Sequence, residues 1–430
     1  MYSKGYQPKR EFTLKQKLAG TFLCLLLYRA LSFIPLPFAD PAYIQALVSA
    51  NGSLGLLNLF SGGSLGNMSV MALGIGPWIT ASIILQLVGV AFPSFAALNK
   101  EEDGKRTYKI ITFALAVAFA FVESIGILIG FGRAGYLNPY AWYTVLVPAL
   151  LMMTGTGFLS LMGWYMDERL FGNGTSLILT TGILCSYVDD FRALFLVLTH
   201  DRMIALGIFL CVFSTVGILL LFLYTVFVSS CEKRIPIVYS RKLSGNGSCL
   251  PDRSDIPLKL MSGGVVPVIF ASTIMTFPAL LGSVFGLKAP VLEIFNTNSW
   301  LKADHPWASI GFVFYIGLII AFGYFCQIMY VNPVELSKSL QKKGATIPGV
   351  RPGKPTTDYI VSQARWLTAL GGICLCVIAA VPMAVSGIFG ISGLSFLGTS
   401  ILITVSTLSD AWKTWNTQKL SQTYRAKNIF

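Results

Sequence analysis

Charge is what this 430-residue sequence has least of: only 12% of its residues are Asp, Glu, Lys or Arg, against roughly 25% in an ordinary soluble domain. A conventional soluble enzyme is excluded on that ground. Histidine is nearly missing too, since His200 and His305 are far apart and each stands alone, so no metal centre is expected. Of the eight cysteines, Cys24, Cys185, Cys211, Cys326, Cys374 and Cys376 fall in apolar runs, where a thiol behaves as a small hydrophobe. Neither a disulfide framework nor a zinc spacing is present. A phosphate-binding GxxxxGK[ST] loop and a nucleophile elbow are also lacking, so no cofactor and no catalytic residue is expected.

What the sequence has in abundance is apolar length, with 54% of residues in AVILMFWYC. A membrane-crossing helix takes about 20 apolar residues. Runs free or nearly free of charge lie at 18–39, 69–97, 110–132, 141–166, 170–188, 203–231, 260–287, 306–334, 366–385 and 391–409, predicting ten spans. The last two come from dividing one long run at Gly387, Gly390 and Gly393, because the undivided stretch overshoots any bilayer. The first run has the length of a span and lacks a small-residue cleavage site, so it reads as an uncleaved anchor.

The charges that remain are arranged by side. With the amino terminus inside, Arg133, Arg192, Arg202, Lys288 and Lys302 fall in outer loops and Arg29 within the first run, leaving 26 of the 32 Lys and Arg on the inner face. The positive-inside rule therefore puts both termini in the cytoplasm, and the net charge of +13 is a cytoplasmic excess. The inner loops at 232–259 and 335–365 are much longer than the 2–8 residues a helical hairpin usually needs. Their Lys233, Arg234, Arg241, Lys242, Lys342, Lys343, Arg351 and Lys354 have two readings: they enforce topology and touch anionic headgroups, or they dock a large acidic or RNA-containing cytosolic partner.

Glycine and proline interrupt two spans in corresponding places. The second holds Gly74, Ile75, Gly76 and Pro77; the seventh holds Gly263, Gly264 and Pro267. Broken helices are tolerated only where they face protein or a water-filled cavity, and paired interruptions in two five-span halves are the pattern of an inverted repeat with a pathway between the halves. The plainer reading is that these residues are common in membrane helices. Residues 53–68 are apolar and Gly-rich but too short to cross; they predict a re-entrant half-helix that blocks the pathway at rest.

Intramembrane charges are functional candidates by default, and only Arg29 and Glu123 qualify. Arg29 is expected to pair with a backbone carbonyl or an acid. Glu123, beside Ser124 with no basic residue in its span, is expected to be paired, protonated or facing water. So few buried ionisable groups argue against an ion-driven carrier.

Seven ordered fragments carry a resemblance: LFSGGSL (59–65), LGIGPWITASIILQL (73–87), ERLFGNGTSLI (168–178), EKRIPIVYSRK (232–242), IPLKLMSGGVVPVIFAS (256–272), NPVELSKSLQKKGATIPGVRPGKPT (332–356) and LGTSILI (397–403). Together they resemble, along nearly the whole chain, the SecY family, the channel subunits of the protein-conducting translocon. The resemblance implies an all-α polytopic fold of ten transmembrane helices in two inverted five-helix halves, residues 18–190 and 191–412, between cytoplasmic tails at 1–17 and 413–430. It implies a plug at 53–68 that includes Leu54, Leu56, Leu57, Leu59, Phe60, Ser61, Gly62 and Gly63. By position, the pore ring is Ile75, Ile79, Thr175, Leu179, Ile269 and Ile403, and Thr175 departs from the all-aliphatic pattern. Aliphatic side chains converging on a neck shed water and block ions while yielding to a passing chain; the plain alternative for them is core packing.

The resemblance further implies a lateral gate in which Thr80 and Glu123 match a polar cluster whose third member, commonly Asn, is Met261 here. A hydrogen bond between Thr80 and Glu123 is expected across the closed seam. Arg351 matches the family's essential loop arginine, presented between Val350 and Pro352. Implied partners are SecE-like and SecG-like small membrane subunits, the SecA ATPase or the ribosome at the cytoplasmic loops, signal sequences, unfolded polypeptides and anionic lipids, in a bacterial plasma membrane. A specialised paralogue with few substrates, a secondary carrier and a pore-less insertase are the competing functions; a carrier needs a polar central site, whereas aliphatic residues and glycine occupy the centre of this sequence.

Overall fold

The computed structural model describes residues 13–38, 44, 52–92, 95, 102–133, 135, 141–170, 172–199, 204–239, 253–261, 263–285, 294–295, 300, 307, 309–389 and 397–427. In chain order the helices are α1 (Leu14–Leu31), α2 (Gly52–Phe60), α3 (Gly76–Ala91), α4 (Glu102–Arg133), α5 (Trp142–Arg169), α6 (Gly174–Thr199), α7 (Ile204–Ser230), α8 (Val266–Phe285), α9 (Ser309–Tyr330), α10 (Pro333–Lys342), α11 (Lys354–Phe389) and α12 (Leu397–Lys427). Ten of these overlie the ten expected spans; α2 and α10 are the extra, short ones. By length and composition five helical segments suffice to cross a membrane, among them Gly104–Arg133, Trp142–Arg169 and Lys354–Gly387.

Local chemistry sets several boundaries. Gln16 Oε1 accepts from Thr13 N at 3.0 Å, closing the first turn of α1, and Asn332 caps α10 by accepting from Glu335 N at 3.3 Å, ahead of Pro333 in the first turn. The second span differs from its expected bounds of 69–97. Its helix starts only at Gly76, because Gly74 takes φ +57 and Pro77 fits only the first turn of a helix that begins there. With 16 residues α3 is about 24 Å long, short of a hydrocarbon core of roughly 30 Å, and residues 61–75 run into it as turns. The fifth span, bounded at 170–188 by charge, extends as helix to Thr199. Helix α12 runs on through the segment expected as a tail, to Lys427.

The chain forms two compact units, one of residues 1–192, 280–288 and 407–430, the other of 193–279 and 289–406. In the first, α4 and α5 pack along their lengths around Leu54, Leu65, Met68, Ala120, Leu128 and Met152. The turn after α2 is stitched to the segment that follows α1: Leu36 N donates to Met68 O at 2.7 Å and Val70 N to Ile34 O at 3.0 Å. Apolar residues of α2 and its turn therefore belong to the core of that unit.

In the second unit α9 packs on α11 around Met261, Val268, Met275, Tyr315, Ile319 and Ile378. Trp300 is buried there with its Nε1 donating to Ile294 O at 2.8 Å. The all-α expectation has one exception. Strands β1 (Glu232–Tyr239), β2 (Arg253–Lys259) and β3 (Ala345–Thr346) form a small antiparallel sheet in the order β2-β1-β3, with Ile235 opposite Ile256 and Val238 opposite Thr346. Along β1, Ile235 and Ile237 are buried while Arg234 and Pro236 are exposed, the two-residue period of a one-sided strand. Pro236 is tolerated in the middle strand because β3 pairs only with Val238 and Tyr239. Ile235, Ile237, Leu258, Leu340, Ile347 and Ile360 share one core. The two long segments read as loops thus fold together as a single module of sheet, α10 and the start of α11.

Candidate functional site

Residues 52–75 form a short helix and a knot of turns held from three directions. The nine residues of α2 span about 13 Å, too little to cross a bilayer. Leu54, Leu59, Phe60 and Ser61 are buried and Leu57 half-buried. Gly62 and Gly63, with φ +65 and +81, end the helix: Gly63 N donates back to Asn58 O at 2.9 Å, a left-handed stop that glycine adopts without penalty. Asn58 Oδ1 then accepts from Gly66 N at 2.7 Å.

Two side chains of α1 reach this stop. Tyr28, almost completely buried, donates its hydroxyl to Ser61 O at 3.0 Å, and Arg29 Nη1 donates to Gly62 O at 2.8 Å while its guanidinium lies 5.0 Å from the centre of the Phe33 ring. Of the two partners expected for Arg29, the carbonyl is the one formed. Gly62 also meets α6 backbone to backbone, since a Cβ on Gly62 would lie 2.6 Å from Gly182 Cα.

The six positions assigned to the ring are mostly enclosed. In the first unit Ile75, at 1% exposure, directly precedes α3, and its carbonyl accepts from Ile79 N at 3.2 Å, so the two lie one turn apart on one face. Leu179 is buried on α6 and Thr175, one turn earlier, is half-buried. The Thr175 methyl packs on Gly163 of α5, where an added Cβ would be 2.9 Å from Cγ2. In the second unit Ile269 and Ile403 are buried, at 7% and 1% exposure. None of the six is exposed; Ile79, like Thr175, is half-buried.

The expected hydrogen bond between Thr80 and Glu123 is not formed. Thr80 Oγ1 donates instead to Gly76 O, one turn back on its own helix, at 3.3 Å, the local alternative open to any helical threonine. Glu123 is half-buried as a residue, yet its Oε2 is enclosed without a partner, and Ser124 Oγ donates to Phe121 O. Met261 lies in the apolar core of the second unit, in keeping with its side chain.

The basic residues at 233–354 divide by exposure and restraint. Lys233 donates to Gln363 of α11 and Arg234 pairs with Glu232 at 3.0 Å. Lys342, Lys343 and Lys354 are exposed; Arg241 and Lys242 lie outside the described residues. Arg351 is exposed at the apex of a turn whose Gly349 and Gly353 take φ +81 and +104. Its carbonyl accepts from Thr356 Oγ1 at 2.8 Å, and Ser337 Oγ donates to Gly353 O at 3.1 Å. The backbone under Arg351 is therefore fixed to α10 and α11 while its guanidinium is displayed. Among the described residues no cluster of His, Cys, Asp and Glu able to hold a metal occurs.

The model of one family, SecY, matches residues 69–412. The chain belongs to the SecY family. It is 36% identical to the protein translocase subunit SecY of Synechococcus elongatus over 98% of both chains, and 32% identical to that of Halalkalibacterium halodurans over 96% of both. Among solved structures it is similar, at 19% identity over 99% of this chain and 97% of the other, to a protein-conducting channel (TM-score 0.64) and to a SecY structure described by a plug domain that stabilises the closed state and maintains a membrane seal (TM-score 0.68). It also resembles, at 18% identity and TM-score 0.62, Sec61 in a canine ribosome-channel complex. The fold is thus that of SecY and Sec61 channels, an α-helical polytopic membrane protein.

Sequence reasoning did not single out Tyr28 or Gly182. A tyrosine and a glycine inside apolar runs carry no periodic signal, and only Arg29, a charge next to Tyr28, marked the place.

Proposed function

We propose that this chain is the central subunit of a protein-conducting channel that passes unfolded polypeptides across a bacterial plasma membrane and releases apolar segments sideways into the lipid. The aliphatic set carries the reading: Ile75, Leu179, Ile269 and Ile403 are buried at the positions matching the family's pore ring, with half-buried Ile79 one turn from Ile75 and half-buried Thr175 one turn from Leu179. Such side chains offer no hydrogen bonds to hold a passing chain, and a dry constriction excludes ions. In this reading the chain itself performs no chemistry on the substrate, and the energy comes from a partner.

Residues 53–68 are the plug in this reading. The half with residues 18–190 and the half with 191–412 open as a pair, and both termini face the cytoplasm, as the asymmetry of Lys and Arg requires. The module carrying Lys233, Arg234, Lys342, Lys343, Arg351 and Lys354, together with Arg241 and Lys242, is the docking surface for a SecA-like motor or a ribosome, with Arg351 as its displayed point of contact. Small subunits like SecE and SecG complete the complex, and the exposed cations meet anionic headgroups. Thr80, Glu123 and Met261 are the residues assigned to the lateral exit in this reading, and the Glu123 Oε2, enclosed without a partner at rest, meets a polar group only once an entering signal sequence has opened it.

The test is reconstitution. Vesicles containing this chain with its small subunits, supplied with a motor and ATP, are expected to import a signal-bearing precursor into a protease-protected space. Accumulation of a small solute without precursor import would favour the carrier instead.

A further inference from the structure

We infer that Tyr28 and Arg29 of α1 are positioning residues that latch the plug segment in its resting place and so set how strong a signal is needed to open the channel; this rests on the reading of residues 53–68 as the plug. Both hydrogen bonds converge on two consecutive carbonyls, Ser61 O at 3.0 Å and Gly62 O at 2.8 Å. The acceptors are main chain, so the side chains of the plug do not determine this hold; α1 does. They lie just past the C-terminal end of α2, where the helix dipole presents partial negative charge and a guanidinium is favourably placed.

Two further contacts, with Gly182 and with Gly74, fix the same dipeptide. Gly62 abuts Gly182 of α6; a Cβ on Gly182 would lie 3.0 Å from the Tyr28 hydroxyl and 3.2 Å from Gly62 Cα; and a Cβ on Gly74, ahead of α3, would lie 2.9 Å from Ser61 Cα. Ser61 and Gly62 are thus held between α1, α6 and the turn entering α3, with no space for the turn to shift while the two donors stay bonded. Displacing the segment breaks both bonds together. It leaves a cation and a buried hydroxyl inside an apolar span without acceptors until water enters the opened path, a cost borne only by the leaving state. Opening is thereby made cooperative with wetting.

The experiment uses the full chain in its membrane complex, in seven forms: unaltered, Tyr28→Phe, Arg29→Gln, Arg29→Lys, lacking residues 53–62 and so both acceptors, and this deletion combined with Tyr28→Phe or with Arg29→Gln. Resting ion conductance in vesicles and export of a reporter with a defective signal are measured. Tyr28→Phe, which removes one oxygen and keeps the packing, is expected to raise both by about threefold to tenfold, and Arg29→Gln by about tenfold or more, from the usual strengths of neutral and charge-assisted hydrogen bonds. Arg29→Lys, which keeps a cation, should fall between. In the deleted form, itself leaky, neither substitution should add anything.

Unaltered conductance and stringency in Tyr28→Phe and Arg29→Gln, beside a leaky deletion, would overturn the latch while leaving the plug in place. Equal rises with and without residues 53–62 would overturn it as well, by revealing general loosening. A deletion that does not leak would remove the plug reading and the latch with it.

Discussion

The clearest consequence of the fold is that the two long connectors between spans stand or fall as one body, and Ile360→Ala tests it. Ile360 is fully buried, packed with Ile235, Ile237, Leu258, Leu340 and Ile347, which come from three separate stretches of chain. Truncation removes three carbons. At about 0.8 kcal/mol per buried methylene the transfer contribution alone is about 2.4 kcal/mol, and the cavity left behind brings the total into the usual range of roughly 2–5 kcal/mol. If the module opens cooperatively, backbone amides of β1 and β2 should exchange with deuterium roughly fiftyfold faster or more, although they lie more than a hundred residues away in sequence. Exchange mass spectrometry on the detergent-solubilised protein reads this directly. Acceleration confined to the turn of α11 around Ile360, with β1 and β2 protected as before, would refute the single-body account.

Other consequences are separate. Arg351→Glu should abolish motor-driven import while leaving the melting temperature unchanged, since the side chain is exposed and its loop is held through its carbonyls by the Thr356 and Ser337 hydroxyls; normal import would exclude the contact. Met261→Asn puts an amide into the apolar core of the second unit and should destabilise that unit by about 1–3 kcal/mol, read as a lowered midpoint of thermal unfolding; a wild-type midpoint would mean the amide finds partners there. Glu123→Ala should change the export of a reporter with a weakened signal, because it deletes the enclosed carboxyl without a partner. Export indistinguishable from the unaltered chain would remove Glu123 from the gate.

Much of this was readable in the chain because lipid imposes simple rules. Each of the ten apolar runs carries a helix, as the need to satisfy every backbone group within a span dictates. Glycine and proline at 74–77 marked the place where α3 begins, although the run of apolar residues from 69 hid the turns before it: hydropathy reports burial, and the turns are as buried as a helix. The sheet was missed for a different reason. Its strands lie in segments 232–259 and 335–365, and β3 supplies only two residues, too few to leave an alternating pattern; pairing across such a distance is a tertiary event that local propensity does not encode. The missing bond between Thr80 and Glu123 follows from competition, since the carbonyl one turn back is always within reach of a helical threonine. Arg29 was legible as a cation needing a carbonyl or an acid, but which carbonyl, and the part played by Tyr28 and Gly182, depended on how the turn at Ser61 and Gly62 folds back.

The central proposal is that Ile79 and Ile269 both lie along the path of a polypeptide in transit. A secretory precursor arrested halfway by a folded carboxyl-terminal domain, in the presence of single-cysteine variants at Ile79 and Ile269, tests it most directly through crosslinking from a thiol-reactive probe in the precursor. The account predicts adducts at both positions, from the same stretch of the arrested chain, that vanish when the precursor is released. Adducts at neither position, with the precursor nonetheless protected inside the vesicle, would contradict it.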